Sequence, residues 1–311
     1  MINPDEILRR IDALSKNDEY ERRYLGASEI GEECSRKLWL QFHGYIEPEK
    51  FEPRMLRLFF RGNREELIFE THLYDLGYEV INRCTEQAGF YDGFFGGHGD
   101  GVWLIEGDRV ATEYKTHSVK SFAKLKRGQL KKDFPKHYAQ CIIYAGKFNC
   151  KYALYMAVCK DTDELFIDVI EFNQEEFKEY LDKSEFITMA DKPPERIASI
   201  PTAWACKWCN EKDVCFGMSI PRVHCKNCTS SFKIQANGRF GCEKNDNKKL
   251  DERLFCEDHS FNPYAMNDLQ KWEIIEFYPE HRAVKYKKKD GSELINGKSP
   301  FGIESKELKN D

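Results

Sequence analysis

The sequence predicts an α/β fold: a mixed central sheet flanked by helices, with a small cysteine-rich module after it. Helix-period segments enclose a run of short strand-like segments, without the strict alternation of a parallel sheet. A hydrophobic content of 41% with 14% aromatics supports a real core in a chain of 311 residues. Beyond Pro201 the pattern becomes short, turn-rich and cysteine-rich, which suits a metal-held module with little core of its own.

Residues 5–16 read as a short helix. A second is expected to start at Ser28, an N-cap residue, and to carry Ile30, Cys34, Leu38 and Trp39 at helical spacing. Pro48 and Pro53 break the chain. A long amphipathic helix follows from Pro53 to Leu76, with Leu56, Phe59, Phe60, Leu67, Ile68 and Leu73 as its apolar set, and Gly77 stops it. Strands are expected at 78–82, 87–95, 101–106 and 109–116, then a polar, basic stretch from Val119 to Lys136. A helix over 136–148, strands at 152–159 and 164–171, and a helix over 174–190 complete the core, and Pro193-Pro194 marks a boundary. The last forty residues read as small strands of a hairpin or meander, with a frayed end from Lys298.

Composition removes several classes of function. No run approaches the ~18 apolar residues of a membrane span, so no membrane partner is expected. The opening Met1-Ile-Asn-Pro-Asp-Glu lacks the apolar core of a signal peptide, which predicts a cytoplasmic protein. A net charge of −5 excludes a polycation, so any nucleic-acid contact must come from local basic patches. Twelve cysteines without a secretion signal point to metal or cluster ligation more than to disulfides.

The chemistry concentrates in Gly97-His98-Gly99-Asp100-Gly101 and in the strand Val110–Thr116. Alternation along that strand projects Glu113 and Lys115 to one side, and pairing with the strand that begins near Gly101 brings Asp100 to the same patch. Two carboxylates beside a lysine form a site for a hard divalent cation, with an ammonium left to orient or polarise water. Alternating charges on a solvated strand are the competing explanation. Gly62 stands four residues before Glu66 on the long helix, where glycine lets another segment approach closely and Glu66 can add a third acid. Gln140 and Tyr144 share a helix face at i, i+4. Between them and the strand, Lys115, Lys120, Lys124, Lys126, Arg127, Lys131, Lys132 and Lys136 are opposed by Asp133 alone, a local excess that suits a phosphate backbone or simply a solvated loop.

Taken in order, Gly62-x-x-x-Glu66, Gly99-Asp100-Gly101, Glu113-x-Lys115 and Gln140-x-x-x-Tyr144 resemble the motifs of the PD-(D/E)xK nuclease superfamily, in its RecB-like exonuclease branch. The resemblance spans about residues 28–216. It implies a restriction-endonuclease-like core in which Asp100 and Glu113, with the Tyr114 carbonyl, bind Mg²⁺ or Mn²⁺. By the same resemblance Glu66 completes the shell, Lys115 positions the attacking water, and Gln140 and Tyr144 contact DNA near the scissile phosphate. No proline precedes Asp100, a departure from the motif.

The cysteines fall into two sets. Cys206-x2-Cys209-x5-Cys215 offers three thiolates, and Cys34 lies far upstream. One cysteine before the nuclease motifs and three after them resembles the arrangement of iron–sulfur RecB-like nucleases, which implies a [4Fe-4S] cluster on Cys34, Cys206, Cys209 and Cys215. Zn²⁺ on the same four is the alternative. The second set, Cys225-x2-Cys228, Cys242 and Cys256-x2-His259, reads as a zinc ribbon or knuckle, with Cys225, Cys228, Cys242 and Cys256 preferred, His259 as a substitute and His224 as a sixth candidate. Phe232, Lys233, Arg239 and Phe240 could grip a strand or form that module's minimal core. Cys84, Cys141, Cys150 and Cys159 read as small buried hydrophobes.

The expectation is therefore a nuclease domain over 1–220, closed by the iron–sulfur cluster, and a zinc-binding module with short strands over 221–311. The implied activity is a metal-dependent DNA exonuclease of recombination, repair or phage DNA processing, with a single-strand annealing protein or helicase as a partner. A DNA-binding protein that keeps the fold without cleavage, and an endonuclease on DNA or RNA, are the alternatives.

Overall fold

The computed structural model describes residues 2–15, 22–245, 256–298 and 302–308. The N-terminal part holds α1 (Pro4–Leu14), β1 (Leu25–Gly26), α2 (Ser35–Phe42) and α3 (Pro53–Asp75). Strands β2 (Glu79–Asn82), β3 (Gly89–Asp92), β4 (Phe95–His98), β5 (Gly101–Ile105) and β6 (Asp108–His117) follow. After β6 come α4 (Val119–Leu125), α5 (Leu130–Asp133), α6 (Pro135–Lys147), β7 (Tyr152–Cys159), β8 (Leu165–Glu171) and α7 (Gln174–Met189).

The central sheet runs β2-β5-β6-β7-β8, with β6 and β7 parallel and the other pairs antiparallel. A parallel pair needs a crossover, and α4 through α6 supply it. Along β6, Tyr114 faces a layer where Phe69 and Leu73 of α3 pack with Trp103, Met156 and Val158. Ala111 faces the opposite layer, where Ala139, Ile142 and Ile143 of α6 meet Tyr155 and Ala157 of β7 and Ile187 of α7. Glu113, Lys115 and His117 therefore point toward α6. Prolines open α3 and α6, where a missing N–H costs nothing. Asn173 caps α7 by accepting the Glu175 and Glu176 amides.

Four expectations change. Ser28–Gly31 forms turns, and the helix begins only at Ser35 with Cys34 as its N-cap. A Cβ on Gly31 would lie 2.4 Å from the Pro135 carbonyl oxygen, so this loop is pressed onto the start of α6. The expected strand 87–95 is a hairpin, broken at Gly93 (φ +57°) so that β3 and β4 pair back to back, with β1 added parallel to β4. The basic stretch 119–136 contains α4 and α5, anchored by buried Phe122, Leu125 and Leu130. On α3 the burial falls on Phe69, Glu70 and Leu73, while Phe59, Phe60, Leu67 and Ile68 stay exposed. Among the described residues nothing lies within 4 Å of a Cβ placed on Gly62, so none of them approaches there.

The C-terminal part holds α8 (Lys212–Cys215), β9 (Ser231–Ile234), β10 (Arg239–Cys242), α9 (Pro263–Gln270) and the antiparallel meander β11 (Glu273–Tyr278), β12 (Ala283–Lys287) and β13 (Glu293–Asn296). It has a core of its own after all: Phe261, Met266, Trp272, Val284, Tyr286 and Leu294. In addition Phe240, Ala265 and Leu269 lie in the core of the first part. Phe240 packs against Phe94 and Phe42, with ring centroids 5.0 and 5.9 Å away. The Lys233 ammonium donates to the Met189 carbonyl at 2.8 Å. Phe240 and Lys233 thus serve packing. Part of the segment expected to fray is seated: Ile303 bridges Asn296, and buried Ser305 donates to the His259 carbonyl at 2.9 Å. Residues 299–301 and 309–311 lie outside the described residues. Among the described residues no helix is long and apolar enough to cross a membrane.

Candidate active site

Register builds the site. Gly101 pairs with Thr112, and a Cβ on Gly101 would lie 2.7 Å from Thr112 Oγ1, so only glycine allows this approach. Asp100, one residue earlier, is thereby set beside β6, and its Oδ2 accepts the Tyr114 amide at 2.8 Å. Glu113 is 1% exposed. One of its oxygens receives the Lys115 ammonium, while Oε2 is buried without a hydrogen-bond partner among the described residues. Such an orphaned carboxylate oxygen costs free energy and calls for a cation or a proton.

The electrostatics show the same need. Burial pushes Glu113 up to about 8, with Lys115 opposing and the Asp100 charge adding. Burial also raises Asp100, against Lys115 and the Tyr114 amide. Glu66, half-buried on α3, is pushed up to about 7, first by burial and then by the charge of Asp100. Lys115 is held above the usual lysine range: burial opposes its charge, but Glu113 and Asp100 outweigh burial. Three acids crowding one ammonium form a set short of positive charge.

On α6, buried Gln140 and Tyr144 share the helix face that turns to this patch. Burial raises Tyr144, and the Glu113 and Asp100 charges act on it too. The glycines before Asp100 make room: a Cβ on Gly97 would meet the Tyr144 hydroxyl at 2.9 Å, and one on Gly99 would meet Phe148 at 2.6 Å. Glu66, Asp100, Glu113, Lys115, Gln140 and Tyr144 are thus brought together. Lys120, Lys124, Lys126 and Arg127 are exposed on and just beyond α4, and Lys126 pairs with Glu164 at 2.5 Å.

A second polar group was not singled out in the sequence. His117, Tyr155, His137 and Ser121 form a hydrogen-bonded chain on the face of β6 that carries Glu113 and Lys115. Two-residue alternation from Glu113 and Lys115 leads to His117. Tyr155 becomes visible only once β7 is known to lie parallel to β6.

Cys34, Cys206, Cys209 and Cys215 line one cavity of about 180 Å³, together with Lys37, Arg196 and Lys212. Burial raises the Cys206 thiol, and neighbouring Cys215 and Cys34 add to the shift. Cys209 is pushed up to about 12 by burial and by its hydrogen bond to Glu211 at 3.0 Å. In the second set, Cys225 and Cys228 flank a tight turn and the Ser230 amide donates to Cys228 Sγ at 3.5 Å, while Cys242 ends β10 and Cys256 is exposed. Both His259 ring nitrogens are engaged, Nδ1 with Ser305 and Nε2 with Asn227 and the His224 carbonyl. That leaves His259 a structural hydrogen-bonding role rather than a free ligand atom. Among the described residues no three His, Cys, Asp or Glu side chains converge closely enough to hold a metal ion. The other cysteines, Cys84, Cys141, Cys150 and Cys159, are buried as expected.

No protein-family profile matches the chain. No curated protein matches it either. Among solved structures it is similar to SSO0001, at 15% identity over 68% of this chain and 94% of that one, with a TM-score of 0.39. It is also similar to an alkaline exonuclease, LHK-Exo from Laribacter hongkongensis, at 14% identity over 58% of this chain and 90% of that one, with a TM-score of 0.40. The same exonuclease in complex with dAMP gives 15% identity over 53% and 86%, with a TM-score of 0.38. Superpositions this loose decide neither fold nor activity.

Proposed function

We propose that the chain is a metal-dependent DNA nuclease with the restriction-endonuclease-like core that its motifs resemble. The observation that supports this most is the buried Asp100–Glu113 pair beside Lys115, with Glu113 Oε2 lacking a hydrogen-bond partner among the described residues. Burying two carboxylates against one ammonium is costly unless a cation joins them. Asp100 and Glu113 would hold Mg²⁺ or Mn²⁺, and the motif resemblance adds Glu66 and the Tyr114 carbonyl to that shell. When bound, such an ion supplies an activated water and charge relief on the phosphate. Lys115 orients that water. Gln140 and Tyr144 hold the phosphate backbone against it, and the exposed Lys120, Lys124 and Arg127 attract the DNA that follows.

Exonucleolytic action on DNA ends, in recombination, repair or phage DNA processing, comes from the motif resemblance. So do the [4Fe-4S] cluster and a helicase or annealing partner. What supports the cluster is that Cys34, Cys206, Cys209 and Cys215 line one cavity although about 170 residues of sequence separate the first from the rest. Zn²⁺ is assigned to Cys225, Cys228, Cys242 and Cys256.

The test is incubation of end-labelled linear DNA, closed circular DNA and RNA with Mg²⁺ or Mn²⁺, for the wild-type protein and Glu113→Ala. Metal-dependent loss of linear DNA alone, absent in the variant, is the expected result. Cutting of the circle would make the enzyme an endonuclease. DNA binding without cleavage of any substrate would sink the nuclease assignment in favour of a binding protein.

A further inference from the structure

The Tyr155 hydroxyl lies 2.8 Å from His117 Nε2 and 2.9 Å from His137 Nδ1, and His117 Nδ1 lies 2.8 Å from Ser121 Oγ. Tyr155 is fully buried and His117 nearly so, whereas Ser121 is half-buried near the start of α4. His137 stands on α6, three residues before Gln140 and on the same helix face. It stacks between Phe134 and Tyr155, with centroids 5.5 and 5.8 Å away. A phenol carries one proton, so Tyr155 can donate to one imidazole only and must accept from the other. The chain therefore has two proton arrangements, and they differ in whether His137 Nε2 carries a proton.

We propose that Ser121, His117, Tyr155 and His137 form a proton relay that delivers a proton to the departing sugar oxygen of the cleaved phosphodiester. The proposal rests on the nuclease reading above. In the loaded arrangement Tyr155 donates to His137 Nδ1, His117 Nε2 donates to the phenol oxygen, and Ser121 donates to His117 Nδ1. His137 then holds its proton on Nε2. As the P–O bond breaks, Nε2 gives that proton to the leaving oxygen. The Tyr155 proton moves to His137 Nδ1, the His117 proton to the phenol oxygen, and the Ser121 proton to His117 Nδ1. Solvent returns a proton to Ser121, and the attacking water loses its own proton to solvent, so the count balances and no buried ring gains a charge.

Neutral rings are what this site favours. His117 is pushed down to about 4 and His137 to about 3, in both cases first by burial and then by the Lys115 charge. His117 follows Lys115 by two residues on the same face of β6, and His137 shares the α6 face of Gln140, so the relay runs along the side of the sheet that carries the acids and the lysine. A histidine pair joined through a tyrosine could otherwise serve only to tie α6 to β6 through β7. The choice of substrate separates the two roles.

Tyr155→Phe removes the shared hydroxyl and keeps the ring, and His137→Gln removes the donor. Each is assayed on a DNA oligonucleotide and on a nitrophenyl ester of thymidine phosphate, whose leaving group departs without a proton. The expected result is a fall in kcat of about 100-fold on DNA, with KM little changed and at most about a threefold loss on the nitrophenyl ester. Equal losses on both substrates, or none on DNA, would overturn the relay. Imidazole ¹⁵N spectra read the same chain without catalysis. Neutral rings at pH 7 whose tautomers shift in Tyr155→Phe support the relay, while an imidazolium signature or unchanged tautomers would refute it. A wild type inert on both substrates but with the expected spectra would defeat the nuclease reading and leave the hydrogen-bond chain standing.

Discussion

Glu113 is an acid that the fold holds in the wrong charge state for its surroundings unless a cation arrives. Its carboxyl is raised from 4.5 to about 8, so between those values the folded protein binds a proton that the unfolded chain has lost. Stability must then fall as pH rises through that window. Buried histidines act in the opposite sense. His117, His137 and His259 are depressed, and stability from each is complete above about 6.5 and is lost as pH falls toward 4. The carboxylate effect is therefore cleanest between pH 6.5 and 8. In a chelator, the melting temperature of the wild type is expected to drop across that interval, and Glu113→Gln should flatten the drop. A wild-type curve that rises steadily to pH 8 would contradict the assignment. Glu113 and Lys115 were legible in the sequence because they alternate on one strand, and Asp100 because the glycine-flanked turn before β5 sets it beside that strand. The His117–Tyr155–His137 chain was only partly so, since it joins two strands and a helix whose pairing no local pattern encodes.

At the scale of elements, β6 and α6 matter most, because the site lies between them. Most strands could be read from two-residue alternation, and α3, α6 and α7 from their period and end signals. The errors share one cause: a local signal was outweighed by packing elsewhere. Ser28 is a plausible cap, yet the chain turns there because Gly31 must lie against the start of α6. The lysines of 119–136 suggested a stretch that meets a phosphate backbone or is simply solvated, and they hid the two short helices that Phe122, Leu125 and Leu130 anchor. Gly31→Ala tests the first point. An added methyl would push against the Pro135 carbonyl, at a cost of about 1–3 kcal/mol. Lowered stability with weakened DNA cleavage is expected in denaturant titrations and end-label assays. Stability unchanged from the wild type would show that the loop can yield.

Over the whole molecule, the cysteine-rich C-terminal part is not an appendage in its packing. The boundary near residue 220 marks a change of composition that any reader of the sequence would see. The packing of Phe240 onto the Phe42–Phe94 ring pair is invisible there, since a phenylalanine in a cysteine-rich module is equally a local core residue. Phe240→Ala should cost about 3–5 kcal/mol and lower the melting of the first part of the chain along with that of the C-terminal part. Two separate transitions, with only the second one shifted, would indicate independent units. Cys209→Ser should bleach the visible colour of anaerobically purified protein, and a colourless wild type would remove the iron–sulfur assignment.

The parallel pairing of β6 with β7 has a kinetic consequence. Glu113, Lys115, His137, Gln140, Tyr144 and Tyr155 all fall within one strand–crossover–strand segment, and so does the relay, while Asp100 joins them through the adjoining β5–β6 hairpin. The four cysteines of the proposed cluster must instead join Cys34 to Cys206–Cys215 across that entire segment. Closing a loop costs more entropy as it lengthens, and contacts distant in sequence form late. The catalytic constellation is thus built to assemble as a local unit during folding, and the cysteine closure to seal a site already in place.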